Sequence, residues 1–101
     1  MKDLQGVICA LCTPMTEGGS AVDESALERH IDSMLEAGMH GILVCGGTGE
    51  FSMLRSAERR RIVELSARHV DGRAVFMAHA SAMNTEEAVE HARHAEGEGA
   101  E

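Results

Sequence analysis

The sequence predicts an α/β fold made of three successive β/α units, an incomplete (β/α)8 TIM barrel occupying residues 1–101 as one partial domain. Three observations lead there. An apolar run, a glycine-rich or polar loop and an amphipathic helix follow one another three times. The strands start near residues 6, 41 and 73, a spacing close to that of barrel units, eight of which total about 250 residues. Hydrophobic residues make up 44% of the 101, enough for a modest core. Three units cannot close a barrel. The competing flavodoxin-like sheet needs about five strands, so the chain is short for either, and a piece of this size leaves sheet edges unpaired.

Taken in order, the first strand is Gly6–Leu11, closed by Thr13-Pro14 and by the turn Glu17-Gly18-Gly19-Ser20. Asp23 is a good N-cap for the first helix, with Val22 before it able to pack on Leu27. Leu27, Ile31, Met34 and Leu35 then form one buried stripe until Gly38. The second strand, Ile42–Cys45, is apolar on both faces, as expected when helices cover one side and a barrel interior the other. The second helix runs from about Ser56 to Val70, burying Ile62, Val63, Leu65 and Val70, and Asp71-Gly72 breaks it. Ala74–Ala78 reads as strand three. Asn84 and Glu87 form a capping pair for the third helix, whose inner face is Ala88, Val89, Ala92 and Ala95. Gly97–Glu101 reads as the loop toward a fourth strand.

Charge and composition narrow the function. A net charge of −8 and a pI near 5.1 argue against nucleic-acid or anionic-membrane partners, which require clustered Lys and Arg. The one basic run, Arg59-Arg60-Arg61, is expected to be a solvated helix face paired with Glu58 and Glu64. No apolar run approaches the roughly 20 residues that span a bilayer. Three cysteines, an odd number, and no secretion signal make the cytoplasm the expected location. Cys9 and Cys12 have C-x-x-C spacing, but in an extended strand their thiols point to opposite faces, and both are expected to be small buried hydrophobes rather than a redox or metal pair. Six histidines invite a metal reading. His91 and His94 adjoin on one helix, yet no nearby Cys or third His completes a ligand set, so no metal is expected. Ser81 and Asn84 have no base and orienter beside them, which leaves a serine hydrolase unsupported.

The segment with most chemical content is Gly46-Gly47-Thr48-Gly49-Glu50, directly after strand two. Glycines let the backbone turn tightly, so successive N–H groups can converge on an anion with a Thr hydroxyl beside them. Such a loop suits a carboxylate, although a tight strand-to-helix turn would use the same residues. It lacks the Gly-Lys-Ser/Thr ending of a Walker loop and the G-x-G-x-x-G spacing of a dinucleotide site, and no cofactor is implied. His79 ends strand three, on the face where barrel enzymes keep their sites, and either lines a pocket or supports the fold.

Leu11-Cys12-Thr13-Pro14-Met15, Gly19, Val22-Asp23, Leu27, Gly38-x-x-Gly41, the Gly-Gly-Thr-Gly-Glu loop and Ala78-His79 occur in the order seen in the dihydrodipicolinate synthase and N-acetylneuraminate lyase family. The chain resembles the N-terminal portion of that family over essentially all 101 residues. The resemblance implies a class I aldolase in which a lysine on strand six forms a Schiff base with pyruvate or a related 2-oxo acid and a tyrosine on strand five relays protons. It implies that the Gly47 and Thr48 amides, with the Thr48 hydroxyl, hold the substrate carboxylate, and that Glu50 supports the loop rather than donating a proton. A homo-oligomer is implied for an intact chain.

Two departures qualify the resemblance. Gly47 stands where dihydrodipicolinate synthases proper carry a threonine of the proton relay, and Gly-Gly-Thr-Gly-Glu-Phe also resembles the loop of 5-dehydro-4-deoxyglucarate dehydratases. More decisively, Lys2 is the only lysine and there is no tyrosine, so this polypeptide alone is expected not to turn over substrate. Two readings follow. The chain is the N-terminal portion of a 2-oxo-acid-dependent aldolase or dehydratase, or it is a non-catalytic remnant that binds a carboxylate or serves as a scaffold. A flavodoxin-like anion-binding domain is a third and weaker one.

Overall fold

The computed structural model describes residues 3–101. Lys2 lies outside the described residues. Three strands alternate with three helices: β1 (Ile8–Ala10), α1 (Glu24–Glu36), β2 (Gly41–Val44), α2 (Ser56–Val70), β3 (Val75–Ala78) and α3 (Thr85–Gly97). The strands form one parallel sheet in the order β1-β2-β3, with Cys9 beside Ile42 and Ile42 beside Phe76. Sequential strands that are also spatial neighbours, each reached through a helix, are the units expected from the sequence. The helices pack side by side in the same order, α1 on α2 and α2 on α3.

Local chemistry sets each boundary. The Asp23 carboxylate accepts from the Ala26 amide at 3.0 Å and starts α1. Gly38, at φ 91°, ends it, with the Met39 amide reaching back to the Met34 carbonyl at 3.1 Å. At the start of α2 the Glu58 carboxylate accepts from the Arg55 amide at 2.8 Å. Arg73 closes its far end by donating to the carbonyls of Val70 and His69. The Asn84 side chain accepts from the Glu87 amide at 2.9 Å, so the capping pair is real, with Asn84 supplying the acceptor. The first strand is shorter than the Gly6–Leu11 expected, although the Leu11 amide still donates to the Leu43 carbonyl at 2.9 Å.

The core lies between helices and sheet. Leu27 and Ile31 of α1, Ile62 and Val70 of α2, and Ile42, Val44 and Phe76 of the sheet are all buried. Alternation along the strands turns the neighbouring row, Ala10, Leu43 and Met77, to the opposite face, which carries no helix among the described residues; Leu43 and Met77 are only half-buried. Among the described residues no helix is long and apolar enough to cross a membrane.

The cysteines differ from expectation. Cys9 is half-buried and Cys12 exposed, because Cys12 follows the strand's last rung and turns outward; only Cys45 is buried. Burial pushes the Cys45 thiol up to about 11, against a smaller opposing effect of Arg59. A thiol-specific reagent at neutral pH should therefore modify Cys12 first and leave Cys45 intact until the chain unfolds, as peptide mass mapping would read. Early labelling of Cys45 would contradict this burial.

Surface ion pairs knit the helices. Arg61 grips Glu24 through two hydrogen bonds of 2.9 and 2.7 Å, which hold the Glu24 carboxyl below its ordinary value despite some desolvation. A hydrogen bond to His69, then one to Arg73, does the same for Asp32. A carboxyl whose folded pKa is depressed adds stability above its unfolded pKa and loses it as pH falls through the folded value. Glu24→Gln should thus lower the urea midpoint slightly at neutral pH, and the deficit should vanish in strong acid. Solvent screening keeps the effect small. A deficit that persists in acid would show that the pair is not its origin.

Candidate functional site

The Gly46–Glu50 loop begins where β2 ends. The backbone reverses there by placing Cys45 at φ 58° and Glu50 at φ 57°, two left-handed residues bracketing the glycines. Inside the bracket the Glu50 amide donates to the Gly47 carbonyl at 3.0 Å and the Phe51 amide to the Gly46 carbonyl at 3.3 Å. Gly49 is buried against the chain that leaves β1. Its carbonyl accepts from the Thr13 hydroxyl at 2.7 Å, and a Cβ here would sit 3.1 Å from the Leu11 carbonyl oxygen and 3.3 Å from the Cys45 amide nitrogen. The Thr13-Pro14 turn and the glycine loop are therefore one unit.

Gly47 and Thr48 are exposed, and among the described residues no hydrogen bond engages their amides or the Thr48 hydroxyl. A Cβ at Gly47 would meet open space, so this glycine does not serve packing. Glu50 is exposed and sits at the loop's exit, where its carbonyl accepts from the Met53 amide at 2.9 Å. Its backbone closes the loop.

His79 follows β3, and its amide donates to the Val44 carbonyl at 3.0 Å, next to the start of the glycine loop. Its ring packs on Phe51 with centroids 4.6 Å apart, and its Nδ1 is buried without a hydrogen-bond partner among the described residues. The link between the two loops is Arg59. Its guanidinium donates to the His79 and Ser81 carbonyls, each at 2.8 Å, and lies 5.4 Å from the centre of the Phe51 ring. Arg59 is 6% exposed, which corrects the expectation of a solvated arginine run. Arg60 is exposed and Arg61 pairs with Glu24 on α1, not with Glu58 or Glu64. In a run of three arginines nothing local marks which one turns inward; that depends on carbonyls twenty residues away. Beside Arg59 lies a cleft of about 280 Å³ whose walls include His91, held below its ordinary pKa by burial and then by Arg59 and Arg60.

The structure thus brings the sequence-predicted loop and His79 to one edge of the sheet, at the C-terminal ends of β2 and β3. Thr13, present in the sequence motif without an assigned contact, proves to be the loop's anchor.

Comparison with known proteins bears on the fold and the family. The model of the dihydrodipicolinate synthetase family matches residues 3–101. The 4-hydroxy-tetrahydrodipicolinate synthases of Methanopyrus kandleri and Pelobacter propionicus are 40% and 41% identical over 98 and 97 residues, which is 97% and 96% of this chain but 33% of each relative. Among solved structures, a dihydrodipicolinate synthase from Aquifex aeolicus superposes with a TM-score of 0.90 at 38% identity, covering 96% of this chain and 32% of that one. A prophage protein of the same family from E. coli K12, in complex with pyruvate, gives 0.91 at 32% identity, again with 96% and 32% coverage. The chain spans about a third of the length of the relatives it matches. With three β/α units of that barrel and a family match along its whole described length, the chain belongs to the dihydrodipicolinate synthetase family.

Proposed function

We propose that this chain supplies the carboxylate-binding part of a 2-oxo-acid-dependent class I lyase, an aldolase or dehydratase, and that the Schiff-base lysine and the relay tyrosine belong to other strands of the intact barrel. The observation that carries the reading is the exposed Gly47-Thr48 pair at the end of β2, whose two amides and hydroxyl have no partner within the described chain. Donors held by a pre-formed loop cost no reorganisation when a negative group arrives. Pyruvate or a related 2-oxo acid is the substrate class, and Glu50 fixes the loop. His79 lines the pocket, where its unpartnered nitrogen meets a ligand or a further barrel loop.

Two features favour a barrel component over a free-standing remnant. The Glu101 amide donates to the Phe76 carbonyl at 2.8 Å, which sets residue 101 beside β3, where a fourth strand of a barrel would pair. An open apolar groove of about 510 Å³ runs along β3 and α3, with Met77, Val89 and Ala92 among its walls, where a next unit would pack. The intact protein works as a homo-oligomer in the cytoplasm.

Titration with pyruvate, followed by amide NMR, tests the loop. The Gly47 and Thr48 amide signals should move first, and Thr48→Val should weaken binding by about tenfold, the value of one hydrogen bond to a charged group. Shifts scattered over the surface, or an affinity unchanged in Thr48→Val, would rule the loop out.

A further inference from the structure

On the helical side of the molecule, α2 and α3 bring together three metal-ligating side chains that the lyase reading does not use. Glu64 lies on α2; His94 lies in the last turn of α3 and Glu98 caps its end. His94 Nε2 is 3.1 Å from Glu64 Oε1 and 3.9 Å from Glu98 Oε1, and the three ligand atoms all lie within 4.8 Å of one another.

The decisive feature is that both carboxylates address the same ring nitrogen. An imidazole nitrogen carries at most one hydrogen, which at these distances serves Glu64 and leaves Glu98 beyond hydrogen-bond reach. His69 shows the contrasting arrangement. There Glu28 faces Nδ1 at 3.6 Å and Asp32 faces Nε2 at 2.9 Å, one carboxylate to each nitrogen, with Arg73 adding a second cation on Asp32. That is an ion-pair cluster. At His94 one divalent cation between the nitrogen and the two oxygens would satisfy all three. Metal–ligand bonds of about 2.0–2.2 Å in tetrahedral geometry set ligand atoms roughly 3.3–3.6 Å apart, between the two separations seen here.

The surroundings are consistent with this. The His94 side chain is 13% exposed and so is held in place, while Glu64 and Glu98, at 34% and 37%, leave the fourth position open to water. Arg61, whose charge acts on Glu64, is already committed to Glu24 by two hydrogen bonds. An imidazole with two carboxylates suits zinc better than the hard, oxygen-seeking magnesium or calcium.

We propose that Glu64, His94 and Glu98 form a zinc site that staples α2 to α3. The sequence expectation of no metal looked for a Cys or third His near His91 and His94. The structure instead supplies carboxylates, one from another helix, and leaves His91 at the cleft beside Arg59. The site stands independently of the lyase reading.

The test uses the 101-residue chain with Cys9→Ser and Cys12→Ser, so that the C-x-x-C thiols do not compete, stripped with a chelator and then titrated with zinc. Calorimetry should give one zinc per chain, saturating zinc should raise Tm by about 5 °C where magnesium does not, and the His94 ring signals should shift at the same stoichiometry. Glu64→Gln with Glu98→Gln keeps all six histidines and should lose the Tm rise and at least about tenfold in affinity. Equal zinc binding by that variant would mean scattered histidine binding and overturn the proposal. So would zinc binding that leaves the His94 signals unmoved, a readout that stands even if the variant fails to fold. The absence of any zinc binding would make the cluster a simple His–carboxylate ion pair.

Discussion

Borohydride reduction of this chain in the presence of excess pyruvate is expected to trap no stoichiometric adduct, and lyase turnover is expected to be absent. Schiff-base formation needs a neutral amine, and an unperturbed lysine at pH 7 is neutral in only about one molecule in 2,500. Enzymes raise that fraction by desolvating the lysine in a pocket or placing another cation beside it. The only lysine available is Lys2, outside the described residues and, in the sequence, ahead of the first strand. The sequence also has no tyrosine to serve as the relay that the proposed lyase chemistry calls for, and loss of a positioned acid–base group alone typically costs about 10² to 10⁴ in rate. The trace labelling that any amine shows should be shared between Lys2 and the terminal amine. Full labelling of Lys2, or turnover by the purified chain, would end the proposal that the chemistry resides elsewhere in the barrel. Reading the coding DNA beyond Glu101 gives the complementary test. A continuation with a tyrosine on the fifth strand and a lysine on the sixth, joined to this chain, should restore both adduct and turnover.

What the sequence made legible was what short-range rules govern. Asp23, Gly38 and Asn84 mark helix ends through contacts within a few residues, so α1 and α3 could be placed to within a residue or two. Ser56–Val70 was readable from the spacing of Ile62, Val63, Leu65 and Val70. The glycine loop was also legible, because a run of glycines after an apolar strand has few other uses. Partnerships across distant segments were not. Thr13 meets Gly49, Arg61 meets Glu24, and His94 meets Glu64 over separations of about thirty residues or more. Helical spacing offered Arg61 nearer acids, and it chose one from another helix. The exposure of Cys12 likewise depended on where β1 stops, the least predictable kind of boundary.

Substituting Arg59 with alanine should have the largest effect on stability of any single change beside the glycine loop, on the order of 3 kcal/mol. The guanidinium makes two hydrogen bonds of 2.8 Å to carbonyls of the β3–α3 loop and faces the Phe51 ring, while only 6% exposed. Hydrogen bonds to charged groups contribute about 1.5–3 kcal/mol each. Burying the cation cancels part of that sum, and its Nε finds no partner among the described residues. Truncation also leaves the space of the side chain empty and two carbonyls without their donors. A domain of this size has about 5–15 kcal/mol in total, so the loss is a large share. Arg60→Ala, one position on and exposed, should change stability by no more than about 0.5 kcal/mol. Arg59→Lys should recover only part of the loss, since one ammonium cannot reproduce the planar fork that reaches both carbonyls. Urea midpoints would rank the three variants. The His79 ring signals would report whether the contact with Phe51 loosens, as expected if Arg59 joins the glycine loop to the end of β3. Equal midpoints for the Arg59 and Arg60 alanine variants would show that the clamp contributes nothing. The two loops would then be held together by the strand pairing beneath them, from Val44 to His79, and not by the guanidinium above it.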